Sequence, residues 1–358
     1  DTVIADTELA PSQRRALEDV VKVKVIDRTT VILDIFSQHA KSREGKAQVE
    51  LAQLEYLLPR LRGWGDSMSR QAGGQVGAGG AGMGSRGPGE TKIELDRRRI
   101  RTRMAQLRKQ LRDFAPAREA KRAERKRHTI PSVAIAGYTN AGKSSLLNRL
   151  TSAGVLVENA LFATLDATVR RSETTDGRVY TLTDTVGFIR KLPHHLVASF
   201  RATLEEVREA DVLLHVIDAS HPTWEEQRLV VDEVLADLGV HDTPVIHVFN
   251  KIDALEPESL LALRQRMADL LPDSVFVSAH APGGTAELHA AMVARIAMRR
   301  PEVGVRIPAA DGRMLAELYR SAEVIAVRQD EETGDSIIRA RVDEALRGRL
   351  YRLGLLEE

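Results

Sequence analysis

Eight residues, Gly137-Tyr-Thr-Asn140-Ala141-Gly142-Lys143-Ser144, restrict this chain to few folds. They carry the Gly-x4-Gly-Lys-Ser spacing of a phosphate loop, and their surroundings fit it. Ser132-Val-Ala-Ile-Ala136 reads as a buried strand before the loop, and Ser144-Ser145-Leu-Leu-Asn-Arg-Leu150 as a helix after it. Gly137 and Gly142 let backbone N–H groups turn toward an anion, and the helix N-terminus adds positive potential. Lys143 supplies a cation for β and γ phosphate oxygens, and the Ser144 hydroxyl a ligand for Mg2+.

Three later segments follow in order: Asp184-Thr-Val-Gly187, Asn250-Lys251-Ile-Asp253 and Ser278-Ala279-His280. Each ends an apparent strand, Val179-Tyr-Thr-Leu-Thr183, Pro244-Val-Ile-His-Val-Phe249 and Ser274-Val-Phe-Val277 respectively. Ligands bind at that edge of doubly wound sheets. Asp184 is expected to hold the metal through water, and Gly187 to leave its amide free for the γ-phosphate. The Asp253 carboxylate can accept two hydrogen bonds from guanine N1–H and the N2 amine, a donor pair that adenine lacks. Asn250 and Lys251 are expected to brace the phosphate loop and cover the base, with the Ala279 amide at guanine O6. With Asn140, Ala141, Ser145, Ser278 and His280 around them, these residues predict a GTP/GDP and Mg2+ pocket. Its carrier is an α/β P-loop GTPase domain with a mostly parallel sheet.

The rest of the chain describes what such a pocket would control. Residues 1–129 contain 27 Lys/Arg against 17 Asp/Glu, or +10, while the remainder has 25 against 34, or −9. The two parts therefore face different partners. Residues 1–45 read as part of a small α/β unit: a strand at Thr2–Ala5, a helix from Pro11, an alternating strand over residues 21–26, then an apolar segment ending near Ala40. The chain starts at Asp1, inside an apparent domain, so further residues are expected upstream.

Residues 46–129 read as a helical hairpin. Leu51, Leu54, Leu58 and Leu61 form one seam, and Ile93, Ile100, Met104, Leu107, Leu111 and Phe114 another. Pro59 falls inside the first and should kink or end it. Between the seams lie nine glycines from Gly73 to Gly89. Composition alone would suit a flexible linker. Its flanks favour another use: Arg70 and Arg86 border it, and residues 97–127 hold fourteen Lys/Arg, including Arg97 and Arg127, against three acids. A basic hairpin with a small-residue tip suits structured RNA, with phosphates along its sides. Trp64 is the one aromatic residue near the tip, so shape and phosphate recognition are favoured over base stacking.

Residues 118–127 read as a charged helical linker into a GTP-binding domain over 130–300. Residues 301–358 alternate strand, helix, strand, strand and helix, a small C-terminal α/β domain with no catalytic constellation. The absence of cysteine excludes a disulfide scaffold and thiolate metal sites, and no apolar run reaches membrane-spanning length.

Arg86-Gly-Pro-Gly-Glu-Thr-Lys-Ile-Glu-Leu-Asp-Arg-Arg-Arg-Ile100 closely resembles the signature preceding the nucleotide domain of HflX-family GTPases. Leu161-Phe-Ala-Thr-Leu-Asp166 and Asp184-Thr-Val-Gly-Phe-Ile189 resemble that family's switch segments. The likeness covers essentially the whole chain. It implies a cytoplasmic, monomeric GTPase that binds the 50S ribosomal subunit and 23S rRNA through the hairpin loop and basic helix. It also implies a tip near the peptidyl-transferase centre and a role in splitting stalled or stressed ribosomes. Two departures are visible: the stretch from Gly73 to Gly84 is longer than the family pattern, and the family's N-terminal domain begins earlier.

Thr164 is the expected switch-one threonine, contacting Mg2+ and the γ-phosphate, with Thr168 a competitor. Lys143, Thr164 and Gly187 form the expected catalytic set. Phe188 stands where many small GTPases carry a water-orienting glutamine, which predicts slow hydrolysis until a partner completes the site. It could also pack beneath switch two, and the two readings are compatible. His194, His195, Ser199 and Arg201 suit surface or partner contacts better than catalysis. Two rival functions share these features: a GTPase of ribosome assembly, and a nucleotide-gated binding factor without obligatory turnover.

Overall fold

The computed structural model describes residues 1–61, 88–127, 130–151, 162, 164–165, 168–174, 179–190, 201–241, 243–298, 301–342 and 344–357. The expectations at Trp64, Arg70, Arg86, the glycines from Gly73 to Gly87, Leu161, Asp166, His194, His195 and Ser199 lie outside them. The chain divides into two compact units. One is Asp1–Ala120 with Glu158–Asp166 and Arg190–Leu204; the other is Lys121–Val157 with Ala167–Ile189 and Glu205–Glu358.

The first unit opens with strand β1 (Thr2–Ala5), helix α1 (Pro11–Val21) and strand β2 (Lys24–Asp27), the two strands pairing in parallel. The alternating residues 21–26 are thus only partly strand. Val21 closes α1 and Lys22 takes a left-handed turn (φ 55°), so extension begins only at Lys24. The apolar segment that follows is helix α2 (Arg28–His39). Asp27 caps it, its Oδ1 accepting from Thr30 N at 2.9 Å and Thr30 Oγ1 at 2.6 Å. Its Oδ2 accepts from the Tyr56 hydroxyl at 2.5 Å and Leu9 N at 3.2 Å. Burial works against the Asp27 charge, but these hydrogen bonds prevail and hold its carboxyl below the ordinary value.

Helix α3 (Arg43–Arg60) starts on Ser42, whose hydroxyl accepts from Gly45 N at 2.7 Å. Pro59 sits in its last turn, and the helix ends one residue later. Helix α4 (Pro88–Arg127) runs for 40 residues, so the returning arm and the charged linker are one continuous element. The two helices pack against each other along their apolar seams. Ala47, Leu51, Met104 and Leu107 are buried together, with Leu54, Leu58, Ile100 and Leu111 packed against them. They run in opposite directions: Arg118 pairs with Glu44, and Arg103 with Glu50 at 2.6 Å. Arg108 reaches Glu55 at 2.9 Å. Glutamates on α3 therefore neutralise part of the basic helix, while Arg98, Arg101, Lys109 and Arg112 remain exposed.

The second unit holds a six-stranded sheet of β3 (Ser132–Gly137), β4 (Thr168–Glu173), β5 (Val179–Asp184), β6 (Val212–Asp218), β7 (Val245–Asn250) and β8 (Ser274–Phe276). The order is β4-β5-β3-β6-β7-β8, and only β4 runs antiparallel to its neighbour. Strand residues alternate between faces. Ile135, Leu182, Leu214, Val216 and Val248 pack on one side, with Leu146 and Leu147 of helix α5 (Lys143–Thr151). After α6 (Arg201–Arg208) come α7 (Trp224–Asp237), α8 (Pro257–Leu270) and α9 (Ala286–Met298). Leu288, Met292 and Ile296 of α9 join the first face, while Ile217, Phe249 and Phe276 form a core on the other with Met267 of α8.

The chain then makes an antiparallel sheet in the order β10-β11-β9-β12. Its strands are β9 (Glu302–Ile307), β10 (Glu323–Gln329), β11 (Ser336–Arg341) and β12 (Leu356–Glu357). Helices α10 (Gly312–Ser321) and α11 (Glu344–Arg352) bury Leu318 and Leu350 in the same core as Val305 and Ile338. Among the described residues, no helix is long and apolar enough to cross a membrane.

Candidate functional site

The carboxyl ends of β3, β5, β6 and β7 and the loop after β8 converge on the phosphate-loop segment. At Gly137 a Cβ would stand 2.3 Å from the Val216 carbonyl oxygen, so β3 and β6 approach too closely there for any side chain. Asn140 adopts the left-handed region at φ 61°, which asparagine tolerates better than most residues. Gly142 lies at φ 94°, and a Cβ there would reach 2.2 Å from Asn250 Nδ2. Ala141 is buried and Ser145 half-buried at the start of α5.

The Lys143 ammonium, only 6% exposed, donates to the Tyr138 carbonyl at 2.9 Å. Burial pushes it down to about 8, against the pull of nearby Asp184. Ser144 Oγ donates to Asp184 Oδ2 at 2.6 Å, which brings a hydroxyl and a carboxylate oxygen together beside the loop. Thr185, next in sequence, turns its hydroxyl back to the Ile135 carbonyl at 2.7 Å. At Gly187 a Cβ would meet Thr139 Cγ2 at 2.9 Å and Lys143 Nζ at 3.0 Å, so this backbone lies against the loop.

Phe188 is 2% exposed. Its N–H donates to the Gly137 carbonyl at 3.0 Å, and its carbonyl accepts from Thr139 N at 2.8 Å. This burial fits the packing reading of Phe188, which is compatible with the lack of a water-orienting group at that position. The backbone bridge beside the ring was not legible, because nothing in the side chain announces it.

Asn250 is 1% exposed and ties two loops together. Its Nδ2 donates to the Ala141 carbonyl at 2.9 Å, and its Oδ1 accepts from Ala279 N at 3.2 Å. Lys251 takes the left-handed conformation (φ 64°), and its ammonium sits 2.7 Å from Asp218 Oδ2. Asp218 escaped sequence reasoning. Its other oxygen is held by Ser220 N at 3.1 Å and Ser220 Oγ at 2.6 Å. The signal was present in outline, since Asp218 ends β6 directly opposite Asn250 on β7. Asp253 is exposed on a short 3-10 turn (Ile252–Ala254). The Ser278 hydroxyl accepts from Ala281 N at 3.0 Å and His280 N at 3.3 Å, shaping the loop that leaves Ala279 half-buried and His280 exposed.

The expected residues from Gly137 to Ser145, with Asp184, Gly187, Asn250, Lys251, Asp253 and Ser278 to His280, thus lie in one unit. Thr164 is half-buried and belongs to the other. There Phe162, two residues earlier, is buried with its ring edge-on to Phe36 at 4.6 Å.

Comparison with known proteins places these features in context. Residues 1–37 match the family described as GTP-binding GTPase N-terminal, 39–125 the GTP-binding GTPase Middle Region, and 132–251 the 50S ribosome-binding GTPase family. A protein named GTPase HflX from Caldanaerobacter subterraneus is 55% identical over 72% of this chain and 58% of its own length. The chain therefore spans under two thirds of that relative. A GTP-binding protein from Sulfolobus solfataricus, solved with GDP, aligns over 83% of this chain and 81% of its own at 26% identity and a TM-score of 0.48. GTPase HflX of Magnetococcus marinus is 44% identical over 98% of this chain and 78% of its own length, and with that match the chain belongs to the HflX family of GTPases.

Proposed function

We propose that this protein hydrolyses GTP, binds the 50S ribosomal subunit through 23S rRNA, and splits stalled or stressed 70S ribosomes, with the ribosome stimulating turnover. The observation that carries the reading is the union, in one chain, of this pocket with a basic hairpin whose exposed arginines and lysines suit phosphates. The match of residues 132–251 to a family described as ribosome-binding supports the same partner. The protein would act as a cytoplasmic monomer, partly ribosome-bound.

The residues fit the nucleotide and its metal. Gly142 and Gly187 let the backbone pack against Asn250 and Thr139 more closely than any Cβ would permit, which keeps the loop compact for backbone N–H groups to meet phosphate oxygens. Ser144 Oγ and Asp184 are hard oxygen donors of the kind Mg2+ prefers. Bound Mg2+ would supply charge neutralisation at the β and γ oxygens. Lys143 exchanges the Tyr138 carbonyl for those oxygens, and the Gly187 amide and Thr164 report the γ-phosphate. Asp253 selects guanine, Lys251 covers the base, and Asn250 holds the phosphate loop and the Ala279 loop in register. Phe188 cannot orient water, so the complete hydrolytic site requires the partner.

Single-turnover GTP hydrolysis with and without purified 50S subunits tests the proposal, alongside sedimentation of 70S ribosomes. Acceleration by 50S and GTP-dependent conversion of 70S to subunits are expected. An unchanged rate sinks the activation argument. Preference for immature particles without splitting replaces it with an assembly role.

A further inference from the structure

One face of the six-stranded sheet contains an anomaly below its apolar core. Strands β6 and β7 pair with His215 directly opposite His247, two residues before Ile217 and Phe249 of that core. The two rings lie on one face with centroids 5.6 Å apart. His215 is 1% exposed, yet among the described residues neither of its ring nitrogens has a hydrogen-bond partner, and neither does Nδ1 of His247. Asp232 on α7 completes the group, its Oδ1 3.3 Å from His215 Nδ1 but not aligned for a hydrogen bond. Its Oδ2 is held by Arg228 at 2.6 Å.

Leucine or phenylalanine would fill this space without burying unsatisfied nitrogens, which is unfavourable in an apolar interior. Imidazole lone pairs beside a carboxylate are a ligand set, and the donor atoms of the three residues all lie within 4.8 Å of one another. We propose that His215, His247 and Asp232 bind a divalent transition-metal cation of the zinc class. Two nitrogens and one oxygen suit such an ion and disfavour Mg2+ or Ca2+, which take oxygen shells.

With metal–ligand bonds of roughly 2.0–2.1 Å, tetrahedral ligand atoms stand roughly 3.3 Å apart. The His215–Asp232 edge already has that length, and the remaining edges, all within 4.8 Å, would need to shorten by up to about 1.5 Å. The Asp232 side chain is 37% exposed, which gives the ion an approach and leaves a fourth position for water. Arg228 orients the carboxylate as an outer hydrogen-bond partner. The ion would clamp α7 onto β6 and β7, the strands that end at Asp218 and Asn250.

The test uses the full chain, stripped with chelator and then saturated with GDP and Mg2+ so that the nucleotide site is closed to added metal. Calorimetric titration with Zn2+ reads stoichiometry and affinity, and Co2+ reports tetrahedral nitrogen coordination by visible absorption. One Zn2+ per chain is expected. His215→Leu and Asp232→Asn should abolish it while keeping GDP binding, which shows that they fold. Arg228→Gln should weaken it roughly 10- to 100-fold. His241→Ala, at an exposed position, should leave it unchanged. If His215→Leu fails to fold, Asp232→Asn and Arg228→Gln decide. Absence of a stoichiometric site, or Zn2+ binding unaltered by these substitutions, overturns the proposal.

Discussion

Asn250 and Gly142 should be coupled through a single collision. Asn250→Ala removes the hydrogen bonds to the Ala141 carbonyl and from the Ala279 amide. At about 0.5–1.5 kcal/mol each, the loss is about 1–3 kcal/mol of pocket organisation. This corresponds to GDP binding weakened roughly 5- to 150-fold. Gly142→Ala should cost more. Its Cβ lands 2.2 Å from Asn250 Nδ2 and drives the same amide out, while φ 94° adds strain of about 1–3 kcal/mol. In the double variant the Cβ has no amide to strike, so only the strain is added to the cost of Asn250→Ala. The double variant should therefore bind GDP about 1–3 kcal/mol better than the sum of the single effects predicts. Titration with a fluorescent GDP analogue on all four proteins measures this. Effects that add within about 0.5 kcal/mol would refute the link between the two loops.

Three other outcomes follow from the geometry. Phe188→Gln should not raise the intrinsic GTP hydrolysis rate and should lower thermal stability, because position 188 is in the interior; a faster intrinsic rate would show that the side chain can reach the nucleotide. GDP affinity should be flat below the Lys143 value of about 8 and fall above it, by up to about tenfold per pH unit. The sign is set because phosphate oxygens raise the ammonium's pKa, so binding takes up a proton only where the free lysine has lost one. Lys143→Arg should flatten the profile between about pH 8 and 9, and a slope that survives it would assign the titration elsewhere. Leu107→Ala, at a position 1% exposed in the hairpin seam, should cost about 2–5 kcal/mol of stability in the first unit. Denaturation followed by circular dichroism reads that loss, and GDP affinity should not change.

The pocket was legible because its residues are fixed by chemistry that tolerates few alternatives. A cation, a hydroxyl, a carboxylate and two glycines at set spacing mark the phosphate loop whatever the rest of the domain does. The seam between α3 and α4 was legible for a different reason, since buried residues such as Leu51, Met104 and Leu107 impose their own period. The failures were local and conformational. Val21 has strand-like alternation with Val23 and Val25, yet α1 runs through it because the left-handed turn at Lys22 ends the helix there. Asp218 and the Phe188 backbone are contacts across strands, and a linear pattern carries no record of which strand ends become neighbours.

These cross-strand contacts alter the meaning of an incomplete hydrolytic site. The phosphate loop is latched on two sides: to Phe188 by two backbone hydrogen bonds, and to the Ala279 loop through Asn250. With the ring buried and the backbone bridged, Phe188 is an anchor rather than a blocked catalytic position. A rearrangement that preserves the core must therefore pivot at Gly187 or begin beyond Phe188. Gly187 has little freedom toward the loop, since even a methyl group would strike Thr139. The Gly187 amide is thus already held beside the loop, where the proposed γ-phosphate would meet it, and the Phe188 side chain offers no group to orient water, which the proposed partner must supply. On the proposed function, partner docking then completes hydrolysis without having to rebuild the cradle, because the contacts that hold it are internal to its own unit.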